Sequence, residues 1–222
     1  MKIMERLNKL AKGNAEYRKF NARIINDATV KYIGVRTPDL KKIAREIAQA
    51  DWQEFLKNNN WHIYEMKAVA FYLPQFLKLD FAEFFALYAR LSPYASSWAN
   101  CDCLGIKKDF IRQNPVQSWR KIAEYLNSGN GWAVRIGLNL VFANFLDAEN
   151  IDRTLAEIKK IDSRYHAEAQ RGTLDYYVKM MLAWTLAEVA VKQRVKVENI
   201  LPKLDRETAK YTKQKMRDSR RI

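Results

Sequence analysis

The sequence is poor in the residues that make tight turns and covalent cross-links. Its 222 residues include seven glycines, five prolines and two cysteines. So few glycines and prolines disfavour an all-β fold, which needs many tight turns. Cys101 and Cys103 are too close in sequence for an ordinary structural disulfide, so a disulfide framework is excluded. We therefore expect a reducing, cytoplasmic environment.

Long apolar runs are also missing. The longest candidate, VKMMLAWTLAEVAV, is interrupted by Lys179 and Glu188, whereas a membrane-spanning helix needs about 20 apolar residues. The first residues, MKIMERLNKLAKG, contain no apolar segment of the secretory type. We expect a protein that neither enters nor binds a membrane.

Several enzyme motifs are absent as well. His62, His166, Cys101 and Cys103 do not have the spacing of a zinc site. No glycine-rich phosphate loop, dinucleotide fingerprint or Gly-x-Ser-x-Gly elbow occurs. Nucleotide hydrolysis and redox chemistry therefore have no support, and we expect no metal.

What the sequence has in excess is positive charge. Lysine and arginine number 39 against 25 aspartates and glutamates, a net charge of +14. Residues 31–45 hold five basic and one acidic residue, and residues 202–222 hold eight basic and three acidic. Such an excess attracts polyanions, and we interpret it as a nucleic-acid-binding surface. The alternative is a solvated helix surface.

Apolar residues recur at helical spacing along the chain, and no segment alternates with the period of a strand. In TPDLKKIAREIAQ, Thr37 suits an N-cap and Pro38 the first helical position, and apolar residues follow at helical spacing from Leu40 to Ala48. Short polar breaks such as NNN and NSGNG separate such segments. We predict a single all-α domain over residues 1–222, a HEAT-like α-solenoid of antiparallel helix pairs with a basic concave face. A compact helical bundle is the alternative.

Asp102, in SSWANCDCLG, is the only charged residue between Arg90 and Lys107. A carboxylate among apolar residues is costly unless it is paired, so such a position either ties the structure together or carries chemistry. Trp98 precedes it by four residues, so the two share one face if the segment is helical. An indole face beside a carboxylate can stabilise a developing cation. Alternatively, Asp102 caps a helix or pairs with a buried arginine, and Trp98 belongs to the core.

Two more residues are unusual for their surroundings. Arg135 is the only charge between Glu124 and Asp147. A lone arginine in an apolar helix either neutralises a buried acid, such as Asp102, or contacts a phosphate. Trp184 lies in a segment that is apolar nearly all round, which favours a packing role.

Over most of its length the chain resembles the AlkD-like DNA alkylation repair family. The resemblance rests on the order and spacing of YIGVRTPDLKKIAREIA (32–48), YE (64–65), SSWANCDCLG (96–105), WAVRIGLNLVF (132–142), YYVKMMLAWTLAE (176–188) and KQKMRDSRRI (213–222). It implies a HEAT-like helical fold. It also implies a DNA glycosylase that excises positively charged N3- or N7-alkylated purines from duplex DNA, with no metal or organic cofactor.

The resemblance also implies roles for single residues. In the family, a Trp and an Asp four apart, an Arg on a later helix and a Trp on a helix further on line the DNA-facing cleft. The matching residues are Trp98, Asp102, Arg135 and Trp184. We expect Asp102, Trp98 and Trp184 to be catalytic. The expected DNA-binding residues are Arg135, Lys179, Lys213, Lys215 and Arg217.

One position departs from the family pattern. In active members, an arginine that faces the DNA follows the second Trp by three residues, and here that position is Ala187. Lys179 and Arg171 are candidates to replace it. The departure keeps a non-catalytic duplex- or branched-DNA-binding paralogue as an alternative, and a protein-interaction scaffold is a third hypothesis. We expect a monomer whose partner is duplex DNA containing alkylated bases.

Overall fold

The computed structural model describes residues 3–167 and 173–219, without the side chains of residues 166, 167, 173 and 174. Within these ranges the chain is helical and contains no β-strand. The backbone divides into two compact units, residues 1–104 and 105–222. In each unit, helices pack mainly on helices that are near them in sequence. The predicted all-α, solenoid-like class is confirmed, and the single domain stays a prediction.

The first unit is built around one buried helix. Its helices are α1 (Ile3–Leu10), α2 (Ala15–Ile25), α3 (Thr37–Ala48), α4 (Trp52–Lys57), α5 (Tyr64–Phe76), α6 (Phe81–Leu91) and α7 (Trp98–Cys103), with a 3₁₀ turn at Ser92–Tyr94. Every residue of α5 from Tyr64 to Pro74 is buried. Helices α3 and α7 both pack on α5, which brings the helix starting at Thr37 and the helix of Asp102 to one core element.

The segment in front of α3 is held by a buried carboxylate. Glu65 of α5 accepts the backbone N–H groups of Ile33, Gly34 and Val35, with N···O distances of 2.9, 2.7 and 3.4 Å. Gly34 has φ +106°, and a Cβ there would lie 2.9 Å from Cβ of Arg18. Glycine meets both demands because it tolerates positive φ and has no Cβ.

The start of α3 differs by one residue from the prediction. Thr37 is the first helical residue, and Arg36 occupies the N-cap position without a side-chain cap. Pro38 is therefore the second helical residue and not the first, but it still lies in the first turn, where its missing N–H costs no hydrogen bond.

The second unit has two central helices. It consists of α8 (Asp109–Gln113), α9 (Pro115–Leu126), α10 (Gly131–Asn144), α11 (Ile151–Ala167), α12 (Thr173–Ile200) and α13 (Arg206–Asp218), with a 3₁₀ turn at Leu201–Lys203. Helix α10 packs on α9 and α12, and α13 packs on α12. A kink interrupts α12 at Gln193, whose φ of −140° and ψ of 59° are not helical. No helix in either described range is long and apolar enough to cross a membrane.

Candidate functional site

Trp98 and Asp102 line one cleft in the first unit. Helix α7 is only six residues long, because the chain leaves the helix after Cys103 and a separate helix starts at Asp109. Both residues lie within α7, so their spacing still puts them on one face. The cleft has a volume of about 320 Å³. Both side chains are half-buried, so Asp102 is not enclosed in the core.

Four helices of the first unit supply the walls of this cleft. The lining residues are Asn21, Ile24, Ile25, Thr37, Lys41, Tyr64, Tyr72, Gln75, Trp98, Ala99, Asp102 and Cys103. Trp98 is held at the rim, where its indole Nε1 lies 3.4 Å from the main-chain oxygen of Ile24. Gln75 donates to the main-chain oxygen of Cys103 at 3.0 Å and so fixes the end of α7.

Lys41 is the cation of the cleft. It is exposed on α3, with Nζ 5.3 Å from the centre of the Tyr72 ring. Among the lining residues, the formal charges are those of Lys41 and Asp102. Sequence reasoning found the basic segment 31–45 but not this residue, because only the packing of α3 on α5 shows which of its cations lines the cleft with Asp102.

The other titratable groups of the cleft are neutral at physiological pH. Burial raises the pKa of the Cys103 thiol to about 12, and burial raises the pKa of the Tyr64 and Tyr72 hydroxyls as well. Cys103 Sγ lies 3.0 Å from the main-chain oxygen of Ala99. The Asp102 carboxyl group therefore shares the cleft with neutral groups and, among the described lining residues, with Lys41. Partly buried surroundings of this kind strengthen electrostatic interactions.

A buried polar network precedes α7. Lys67 Nζ lies 2.5 Å from Ser96 Oγ and 3.7 Å from the Asp27 carboxylate, and Ser96 Oγ donates to the same carboxylate. Burial lowers the pKa of Lys67, and Asp27 opposes that shift. The network ties the residue two before Trp98 to α5 and to the segment after α2. Sequence reasoning missed it because its members are far apart in the chain.

Arg135 joins two helices of the second unit. Its side chain is buried, with 5% of the residue exposed, and Nη1 donates to the main-chain oxygen of Tyr177 at 2.6 Å. The bond connects α10 to α12, and the Trp132 ring lies 5.1 Å from the Tyr177 ring beside it. A phosphate contact by Arg135 stays a prediction.

Trp184 is not a packing residue of the core. It is 45% exposed, although its neighbours Ala183, Thr185 and Leu186 are buried. Its ring lies 5.5 Å from the Phe142 ring on α10. Between Met181 and Ala190, every residue of the helix is buried except Trp184 and Glu188.

A pocket of about 250 Å³ surrounds Trp184. It is lined by Trp184, Ala187, Glu188, Lys215, Asp218 and Ser219. Lys215, which comes from α13, therefore lies in the same pocket as Ala187, where the family pattern has an arginine. Arg171, one candidate to replace that arginine, lies outside the described residues.

Lys179, the other candidate, is already paired. It is buried, and its Nζ lies 3.0 Å from the Asp205 carboxylate and 2.8 Å from that of Glu207. Asp205 also caps α13 by accepting the N–H groups of Glu207 and Thr208. This ion pair fastens the start of α13 to α12, and a DNA contact by Lys179 stays a prediction.

Lys213 and Arg217 lie on a different side of α13 from Lys215. Both are exposed and line a groove with Arg194 and Glu198 from the end of α12. The described residues contain no group of three or more His, Cys, Asp or Glu arranged to hold a metal ion.

A family model described as DNA alkylation repair enzyme matches residues 3–219. The chain belongs to this family. The match spans both units and agrees with the resemblance drawn from the sequence, which is confirmed. Comparisons with curated proteins and with solved structures gave no match.

Membership in the DNA alkylation repair enzyme family supports a role in the repair of alkylated DNA, with DNA as the substrate. Each unit of this repair protein contributes one candidate surface. The first has a carboxylate, an indole and a lysine around one cleft, and the second has an exposed indole with a lysine beside it.

Proposed function

We propose that the protein is a DNA glycosylase that excises positively charged N3- or N7-alkylated purines from duplex DNA. The observation that carries the proposal is the cleft of the first unit, in which Asp102 and Trp98 lie together with Lys41. Its charge pattern suits a reaction that moves positive charge onto a sugar beside a phosphate. The proposal includes a monomeric, cytoplasmic protein that uses both units as one DNA-binding domain.

The chemistry needs little acid catalysis because an alkylated purine that carries a positive charge is already a good leaving group. The bond between C1′ and the base nitrogen breaks with both electrons going to the base, which departs as a neutral purine. The positive charge moves to the sugar, where the Asp102 carboxylate and the Trp98 ring stabilise it. Water then adds its oxygen to C1′ and gives up one proton, which Asp102 accepts and passes to solvent.

The neutral floor of the cleft makes Asp102 more effective. Tyr64, Tyr72 and Cys103 keep their protons because burial raises the pKa of each, so none of these three groups becomes a second anion that competes for the developing cation. Among the described lining residues, Lys41 supplies the one positive charge, and we assign it to the phosphate beside the reacting sugar. We assign Trp184 and Lys215 of the second unit to contacts with DNA sugar and phosphate.

Single-turnover excision tests the proposal. Duplex DNA containing one N7-methylguanine is incubated with excess protein, and the release of free base is measured. We expect release by the natural protein and a loss of about 10²–10³-fold in rate in Asp102→Asn, since removal of one preorganised electrostatic group costs about that much. Affinity for the duplex should be retained.

Asp109→Asn is the matched control, because Asp109 is an exposed aspartate in a surface pair with Arg112. Its excision rate should equal that of the natural protein. Equal rates in Asp102→Asn and Asp109→Asn would contradict the catalytic role of Asp102.

A second candidate function is a non-catalytic DNA-binding protein of the same fold. Ala187 favours it, because the pocket around Trp184 lacks the arginine of active members. Its signature is tight duplex binding with no base released from N7-methylguanine or N3-methyladenine at enzyme excess.

A further inference from the structure

The basic residues of α13 lie on two faces of the helix. Arg206, Lys210, Lys213 and Arg217 are spaced by four, three and four residues, so they form one row along the helix. All four are exposed. Lys215 is two residues from Lys213, about 200° around the helix, and it lines the Trp184 pocket instead. We call the row of four the outer row.

The outer row borders a groove that the end of α12 completes. Two adjoining cavities of about 410 and 740 Å³ share Glu198, Leu201, Lys213 and Arg217. The kink at Gln193 starts the helical turn that carries Arg194 and Glu198. Apolar residues complete the lining: Leu201, Pro202, Leu204, Ala209 and Met216.

The described lining residues of this groove carry five positive charges and one negative charge. Glu198 is the only carboxylate among its described lining residues, and it pairs with Arg194 at 2.8 Å. Within the described parts of the chain, no carboxylate lies within ion-pair distance of the outer row. Like charges three or four residues apart destabilise a helix by about 0.2–0.5 kcal/mol per pair, and a bound polyanion removes this repulsion.

We propose that this groove is a second binding site for the sugar–phosphate backbone of DNA, separate from the Trp184 pocket. The outer row extends over about 16 Å, at 1.5 Å per residue, and one DNA strand presents a phosphate about every 3.4 Å along the axis. One stretch of backbone can therefore meet all four cations. A stretch held against Lys215 lies on the other side of α13, so the outer row must bind a different stretch.

The lining residues point to backbone rather than to bases. Among those described there is no aromatic ring on which a base could stack, and stacking is the usual means of binding unpaired bases. Lysine and arginine on an open groove bind phosphates without reading sequence. The proposal rests on the proposed function only in taking DNA as the polyanion. In this proposal the groove increases the affinity for DNA and takes no part in the excision step.

Salt dependence of binding tests the groove. The variant Lys210→Gln/Lys213→Gln/Arg217→Gln removes three cations of the outer row. Lys12→Gln/Lys78→Gln/Lys159→Gln removes three exposed lysines elsewhere and is the matched control. Affinity for undamaged duplex DNA is measured by fluorescence anisotropy over a range of salt concentrations, after circular dichroism has shown both variants folded.

Each lost phosphate contact lowers the slope of log affinity against log salt by about 0.9. We therefore expect the slope of the groove variant to fall by about two to three, and that of the control to stay within one of the natural protein. Equal slopes in the two variants would overturn the proposal and would indicate that the groove binds an acidic protein instead.

The excision assay separates this proposal from the glycosylase. At saturating protein, Asp102→Asn should lose about 10²–10³-fold in excision rate and keep its salt slope, whereas the groove variant should lose salt slope. A groove variant that binds at saturation but has lost excision would overturn the separation of the two sites. If the natural protein releases no base, the glycosylase proposal fails, while the difference in slopes still decides the groove.

Discussion

At the scale of single residues, the cleft of the first unit raises a chemical alternative, since Cys103 lies next to Asp102 in the chain and lines the same cleft. A cysteine thiolate could accept an alkyl group directly from damaged DNA. Burial raises the pKa of Cys103 to about 12, and only the thiolate is a good nucleophile. The cleft therefore favours stabilisation of a cation by Asp102 over alkyl transfer to sulfur.

This argument predicts slow alkylation of the native protein by iodoacetamide. A thiol with a pKa near 12 is protonated at pH 8, and Cys101 is fully buried. We expect both cysteines to react at least about 100-fold more slowly than a free thiol, whose pKa is near 8.5, when labelling is followed by mass spectrometry. In denaturant, both should react at the free-thiol rate. Fast labelling of Cys103 in the folded protein at pH 8 would contradict its assignment as a neutral residue.

The sequence identifies some site residues and misses others for a physical reason. Asp102 is visible because a charge is rare in its neighbourhood, and Trp98 because it lies four residues away. Lys41 is one of five basic residues in its segment, and only tertiary packing distinguishes it from Lys42. Lys179 lies in a mainly apolar stretch of α12, and the sequence does not reveal its carboxylate partners because they lie at the start of α13, 26 and 28 residues on.

At the scale of elements, Glu65 links α5 to the segment that starts α3. Its carboxylate is completely buried and accepts three backbone N–H groups. No other described side chain bonds to these N–H groups, so removal of the carboxylate leaves them without an acceptor. The orientation of Thr37 and Lys41 in the cleft therefore depends on a residue outside the cleft.

We expect Glu65→Ala to lower the free energy of unfolding by about 3 kcal/mol, because each buried donor left without an acceptor costs about 1–3 kcal/mol. Urea denaturation followed by circular dichroism measures the change. Glu16→Ala is the control, since Glu16 is exposed and pairs only with Lys19 at the surface. A loss below about 0.5 kcal/mol, the range of ordinary surface substitutions, would show that water or a backbone shift replaces the carboxylate.

Helix type was predictable, whereas helix ends were less so. Apolar spacing predicts the core face of α3, where Leu40, Ile43 and Ala44 are buried. The end of α7 after Cys103 and the kink of α12 at Gln193 have no strong sequence signal. Neither break involves proline. The glycine nearest to the end of α7 is Gly105, two residues after its last helical residue. Tertiary packing sets both breaks, and local propensity does not reveal them.

At the scale of the whole molecule, the net charge of +14 is the property that separates a DNA-binding protein from a protein-interaction scaffold. The charge is effective only where carboxylates do not neutralise it. Lys179 is neutralised by Asp205 and Glu207, whereas the outer row has no such partner among the described residues. The distribution of charge therefore favours a polyanionic partner more strongly than the total does.

The same reasoning predicts how charge reversal in α13 affects binding. Lys213→Glu, Lys215→Glu and Arg217→Glu together should weaken binding to undamaged duplex at least about tenfold at low salt, equally for duplexes of different sequence, because phosphate contacts do not read bases. Lys215→Glu alone should remove only the contribution of the Trp184 pocket. The double variant Lys213→Glu/Arg217→Glu should remove only that of the groove, so the two losses in binding free energy should add up to the loss in the triple variant if the sites are separate.

The natural protein itself should lose affinity for duplex DNA steeply as the salt concentration rises. A scaffold would show no duplex binding even at low salt, and unchanged binding in the triple variant would remove α13 from the interface.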